Sequence, residues 1–157
     1  MIDNGSRTML DEIYNQRILE LAADIPRLGR LKAPQARAKA HSKLCGSTVA
    51  VELSMEDGRV SDFAHDVKAC ALGQASSSVM ARQIVGSTGE ELRAVRLAMR
   101  RMLKEGGEPP GGRWEDLRYL APVRDFKARH ASTLLTFDAV VDALDQIEAR
   151  TGAVSSA

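Results

Sequence analysis

The chain reads as an α+β domain, a small antiparallel β-sheet with helices packed on one face. Three observations predict this. Residues 48–55, Thr48-Val49-Ala50-Val51-Glu52-Leu53-Ser54-Met55, alternate apolar and polar side chains as a half-buried strand does. Glu56-Asp57-Gly58 is a hairpin turn signal, after which Val60, Phe63 and His65 return through residues 59–66. The segments flanking this hairpin instead carry apolar residues at three-and-four spacing, the helical period.

In chain order, residues 7–23 place Met9, Leu10, Ile13, Tyr14, Ile18, Leu19 and Leu21 on an amphipathic helix, which Pro26 and Gly29 end. Residues 36–43 form a short strand carrying His41, the first of three histidines. After the hairpin, residues 71–85 are small on one side and aliphatic on the other, a helix closed by Gly86. A second helix over 89–104 starts behind Ser87 and Thr88, with Glu90 and Glu91 in its first turn where the helix dipole favours acids. Residues 106–112, Gly-Gly-Glu-Pro-Pro-Gly-Gly, are a flexible loop, and 114–122 a short helical turn. Residues 126–149 make the last helix, with Leu134, Leu135, Phe137, Val140, Val141, Leu144 and Ile147 as its apolar stripe. The expected organisation is one domain over 7–150 and a tail over 151–157, without internal repeats.

A chain of 157 residues with 44% apolar residues can bury a single core, and 4% aromatics make that core aliphatic. A net charge of +1 without a block of like charge leaves no electrostatic footprint for nucleic acid. Arg96, Arg100, Arg101 and Lys104 share one side of their helix, as a solvated face or as a docking surface for an acidic partner. No apolar run approaches the ~20 residues a bilayer span needs, and the polar start of the chain has no signal-peptide run behind it. A cytoplasmic protein is expected. Its two cysteines, Cys45 and Cys70, could pair, but without a secretion signal reduced thiols are expected, as core filling, metal ligands or nucleophiles. No acid accompanies a serine and histidine at a nucleophile elbow, so a hydrolase is not expected.

Four motifs point further. Tyr14 through Leu31 holds Ile25-Pro26-Arg27-Leu28-Gly29 after the opening helix, and Leu44-Cys45-Gly46-Ser47 is a short cysteine loop. Lys68 through Gly86 puts Cys70 between a strand and a small-residue helix, and Phe126 through Leu134 opens the final helix with His130 and Ser132. In this order and spacing they resemble the iron–sulfur cluster assembly scaffolds, the IscU/SufU/NifU N-terminal family. The segment between Gly86 and Phe126 is similar to the insertion of the SufU-like branch.

The resemblance implies a site of three thiolates and a carboxylate or histidine around an iron–sulfur cluster or zinc. This chain departs from it. Ser47 stands where the family has an aspartate and Ser132 where it has its third cysteine, while Val67 and Ala69 replace glycines before the second. Cys45 and Cys70 remain, and His130 is the candidate third ligand; His41 and His65 read as surface and strand-face residues. A serine hydroxyl stays protonated near neutral pH and binds such metals weakly, so the expected site is weaker and more open than the family's. The implied function is cluster assembly, or metal binding through Cys45 and Cys70, with a cysteine desulfurase and iron–sulfur acceptor proteins as partners. Two alternatives stand beside it: a metal-free carrier of persulfide on Cys45, and a degenerate paralogue acting as a binding or regulatory module. The oligomeric state stays open.

Overall fold

The structure, a computed structural model, describes residues 15–44 and 46–156, with side chains through residue 150. The helical positions expected at Met9, Leu10, Ile13 and Tyr14, and Cys45, lie outside the described residues.

The hairpin forms the centre of the fold. Strand β2 (Thr48–Glu56) turns through Asp57 and Gly58, at φ 54° and 77°, into β3 (Arg59–Lys68). Two successive positive φ values define the turn whose twist matches the strands it joins, and aspartate followed by glycine tolerates them at least cost. A bulge between Ser54 and Met55 shifts the pairing by one residue, and beyond it Leu53 pairs with Phe63, Val51 with His65 and Val49 with Val67, so one face of the hairpin is mostly apolar. Strand β1 (Ala36–His41) adds to the other side of β2, with Ala38 opposite Val51, giving the order β1-β2-β3, all antiparallel.

Both sheet edges are covered, which blocks strand pairing with another chain. On β3, the His65 carbonyl accepts from Gly29 N–H at 2.9 Å and the His65 N–H donates to the Arg27 carbonyl at 3.2 Å. Further along, Val60 exchanges backbone bonds with Ser87 and Gly86 at 2.9 and 2.8 Å. On β1, Gln146 donates to the Arg37 carbonyl at 3.1 Å, and Arg150 donates to that of Gln35. Glu52, on the sheet's other face, is 5% exposed and accepts from Arg37 and from the Leu31 N–H, both at 2.8 Å, which ties the segment after Pro26 to the sheet.

The helices stack on the apolar face. Helix α1 (Gln16–Ala23) starts at Asn15, whose side chain accepts from the Ile18 N–H at 2.9 Å. Helix α2 (Ala71–Gln83) is buried along most of its length, with Ser76, Ser77 and Ser78 all inaccessible to solvent. Its small side chains let α1 and the last helix pack against it. Helix α3 (Gly89–Glu105) is capped by the Thr88 hydroxyl at 3.1 Å from Glu91 N and ends at Gly106 with φ 70°. It joins the last helix, α4 (His130–Ser156), through Arg93 to Asp145 and Glu148 at 2.5 and 2.7 Å and through Arg96 to Asp138 at 2.8 Å.

The region expected as a short turn over 114–122 is longer: a 3₁₀ helix runs from Gly112 to Asp125. Its buried residues are Trp114, Leu117, Leu120 and Val123, every third position. That spacing lines one edge of a helix with three residues per turn, and burial of the stripe sustains a conformation seldom found in long runs. Trp114 Nε1 anchors its start by donating to Glu91 at 2.8 Å. A 3₁₀ turn, Lys127–Arg129, follows, so the last α-helix begins at His130, four residues after the expected start.

Candidate functional site

Cys70 lies two residues past β3 and is the N-cap of α2, at φ −68° and ψ 173°. This extended conformation turns the chain from strand to helix and leaves the thiol half-buried over the first amides of α2. Ser132, in the first turn of α4, is fully buried with its Oγ 3.3 Å from Cys70 Sγ. Ser47, 4% exposed, comes from the β1–β2 connection, and its Oγ is 3.5 Å from that of Ser132. Three segments far apart in sequence thus bring one thiol and two hydroxyls together.

Local features hold this cluster. The β1–β2 connection is closed at its base, where Ser42 N–H donates to the Ser47 carbonyl and Gly46 N–H to the Ser42 carbonyl, both at 2.8 Å. Cys45 belongs to this connection, two residues before Ser47 in sequence. Gly73 allows α4 to approach: a Cβ at that position would lie 2.7 Å from the Ala69 Cβ and 3.0 Å from both the carbonyl and the hydroxyl oxygen of Ser132. Any larger side chain would force Ala69, Ser132 or both to shift.

Burial alone would raise the Cys70 thiol pKa, but the surroundings more than offset it and the net shift is downward. The Ser132 hydroxyl, the Gly73 and Leu72 amides and the positive charge of Arg129 all favour the thiolate. The amides act without a capping bond from the thiol to the helix. With the thiol neutral, S–H can donate to Ser132 while the Ser132 hydroxyl donates to Ser47. On ionisation the Ser132 hydroxyl is free to rotate its proton toward sulfur.

The histidines are placed elsewhere. His130 is the first residue of α4, and two residues along a helix is a rotation of about 200°, which separates it from Ser132. It is 6% exposed, and its Nε2–H is shared between the carbonyls of Val123 and Arg124 at 3.1 and 3.0 Å. The cleft it lines contains Leu103, Lys104, Arg124 and Lys127, not Cys70. His41 is exposed on β1. His65 is on the core face of β3, tilted against Phe63 at 5.0 Å and donating from Nε2 to the Pro26 carbonyl at 2.9 Å. Burial lowers its pKa, which the Pro26 bond and Asp66 oppose only in part.

Among the described residues no three His, Cys, Asp or Glu side chains are grouped to hold a metal ion. One thiol and two hydroxyls are a poor donor set for zinc, which favours deprotonated sulfur, imidazole or carboxylate. Two contributors to the site were not anticipated from sequence, Arg129 and Gly73. Both have a signal in retrospect: a cation three residues before a ligand position, and a glycine in the first helical turn after a cysteine.

The fold and the clustered site positions define a scaffold-type domain, and comparison with known proteins gives the family. The NifU-like N terminal domain family matches residues 13–114, and the chain belongs to it. It is 24% identical over 135 residues, 86% of this chain and 94% of the other, to the iron–sulfur cluster assembly scaffold protein IscU of Thermotoga maritima. Among solved structures, the N-terminal part of a nitrogen-fixing NifU-like protein from Brucella abortus is 66% identical, with a TM-score of 0.88 over 89% of this chain and 97% of that one. A SUF-system scaffold protein from Fervidobacterium islandicum shares the fold at 22% identity, with a TM-score of 0.78 over 85% of this chain and 98% of the other. Among the described residues no helix is long and apolar enough to cross a membrane.

Proposed function

We propose that this chain is a scaffold on which an iron–sulfur cluster is held as cargo by Cys45 and Cys70 and passed on, a carrier and not an enzyme. The observation that supports it most is the meeting of Cys70, Ser132 and Ser47, the positions at which the family resemblance expects ligands, in one partly enclosed cluster. Cys45 is two residues from Ser47 in the same connection. A thiol already shifted toward thiolate loses less to proton competition when it binds iron.

With two thiolates, the remaining coordination positions would fall to sulfide, water or a partner's side chain, so the cargo would be held loosely. His130 is the remaining candidate ligand. Its Nε2 is committed to two carbonyls, so ligation would require Nδ1 and a change of ring position. Sulfur would come from a cysteine desulfurase, and acceptor apoproteins would receive the cluster.

Anaerobic reconstitution with ferrous iron, cysteine, a desulfurase and a thiol reductant that takes persulfide sulfur to sulfide tests this reading. Sulfur on Cys45 is read by mass in a parallel sample without the reductant. Iron and sulfide bound to wild type, absent from a Cys45→Ala/Cys70→Ala variant, is the expected result. Wild type that gains one sulfur on Cys45 but no iron would replace the scaffold reading with sulfur carriage. Neither iron nor sulfur would leave a binding module.

A further inference from the structure

Three cations converge on one cleft away from Cys70. Lys104 comes from the last turn of α3, Arg124 from the end of the long 3₁₀ helix and Lys127 from the 3₁₀ turn before α4. With Leu103 and the buried His130 they line a concavity of about 340 Å³. Among the described residues none of the three is in an ion pair, whereas Arg93, Arg96 and Arg113 are all paired with carboxylates. Glu105 and Asp125 neighbour Lys104 and Arg124 in sequence but do not line the cleft.

We propose that this cleft binds a multiply charged oxyanion of the phosphate class. Like charges brought together from three elements repel one another, and a bound anion turns that repulsion into attraction. The donor types suit the ligand: a guanidinium offers paired N–H groups to two oxygens, and each ammonium adds a compact point charge. A concave arrangement from separate elements favours a compact anion, because an acidic peptide would be matched by cations spaced along one surface element. Arg100 and Arg101, also on α3, do not line the cleft.

His130 gives the cleft a fixed wall. Its two hydrogen bonds from Nε2 hold the ring. The lining of the cleft includes none of Cys70, Ser132 and Ser47, so the proposed anion site is distinct from the thiol and hydroxyl cluster.

Calorimetric titration of the full chain with inorganic phosphate and pyrophosphate at low salt tests the proposal. One saturable site is expected, with pyrophosphate the tighter ligand. Lys104→Gln/Lys127→Gln and Arg124→Gln should each weaken it about tenfold or more, the scale of a lost charge-assisted contact. Arg100→Gln, an exposed cation outside the cleft, should bind as wild type does. All three replaced side chains are exposed, so the variants should keep the wild-type circular dichroism and melting temperature. No saturation by 10 mM pyrophosphate (on the order of the weakest specific affinities) would overturn the proposal. So would equal weakening by Arg100→Gln, or a poly-glutamate peptide binding more tightly than pyrophosphate.

Discussion

Replacing Ser132 by cysteine should convert the cluster into a firm metal site. A tetrahedral metal with sulfur ligands at about 2.3 Å places those sulfurs about 3.8 Å apart. Cys70 Sγ and Ser132 Oγ are 3.3 Å apart, and the longer carbon–sulfur bond of a cysteine at 132 lets its sulfur settle near that separation by a small rotation. The position is fully buried in the first turn of a long helix, so the new thiol is directed by the fold and loses little freedom on binding. Structural zinc sites gain about 10–16 kcal/mol from four ligands, so one further thiolate is worth about 3 kcal/mol, or roughly a hundredfold in affinity.

The assay is competition against a chromophoric chelator, with zinc and ferrous iron as probes, in anaerobic and reducing buffer. Reduction matters because a cysteine at 132 could otherwise bond to Cys70. Ser132→Ala is the companion variant: it removes the hydroxyl without adding a donor and should leave metal affinity within a few-fold of wild type. If fully reduced, folded Ser132→Cys protein binds both probes no more tightly than wild type, the positions do not form a metal-ligand cluster and the geometric argument fails.

Gly73→Ala should destabilise the fold by about 1–3 kcal/mol, the cost of overpacking, even though alanine in a helix interior is normally favoured over glycine by up to about 1 kcal/mol. Contacts of 2.7 and 3.0 Å decide the sign, and a denaturant midpoint equal to or above that of wild type would contradict it. Cys70 should alkylate with a pH midpoint below that of an ordinary thiol, and Ser132→Ala should move the midpoint up. The linked stability has a defined sign: the folded-state value is depressed, so the thiolate's contribution is fully present above the unfolded thiol pKa of about 8.5 and is lost as pH falls through the folded value. A Cys70 profile that is unchanged in Ser132→Ala, followed by mass spectrometry of the labelled peptide, would remove the hydroxyl from the account.

The parts of the fold that were legible in the sequence are those that one physical signal dominates. Alternation over residues 48–55 and the Asp57-Gly58 pair determine strand and turn, and the observed β2–β3 hairpin follows them, whereas the one-residue shift between Ser54 and Met55 that sets the core register has no local signal. The long 3₁₀ helix was less legible, because apolar residues every third position fit one edge of an α-helix nearly as well, and Pro122 suggested an early end. At the site, Cys70 was legible from its place between strand and helix. The separation of His130 from Ser132 was legible too, since two positions apart on the expected last helix is already a rotation of about 200°; its bonds to the Val123 and Arg124 carbonyls were not, because they depend on the 3₁₀ segments before α4. Gly73 and Arg129 depend on the packing of α4 against α2, which no local pattern encodes.

The two serines argue against simple decay of the site. A position that had only lost its ligand would be free to fill with alanine or valine, and a buried hydroxyl without a partner would be a cost. Ser132 is fully buried and well placed to stabilise a thiolate at Cys70, while Ser47 continues the hydrogen-bond chain. The Ser132 hydroxyl therefore does for the metal-free thiol part of what a metal would do: it shifts the thiol toward the thiolate. Each unit of thiol pKa lowering is worth about 1.4 kcal/mol toward the thiolate. That shift lowers the cost of losing the proton on loading, so weak holding follows from the small number of further donors and not from the thiol. On the scaffold reading, a site with two thiols and few further ligands loads weakly and releases readily.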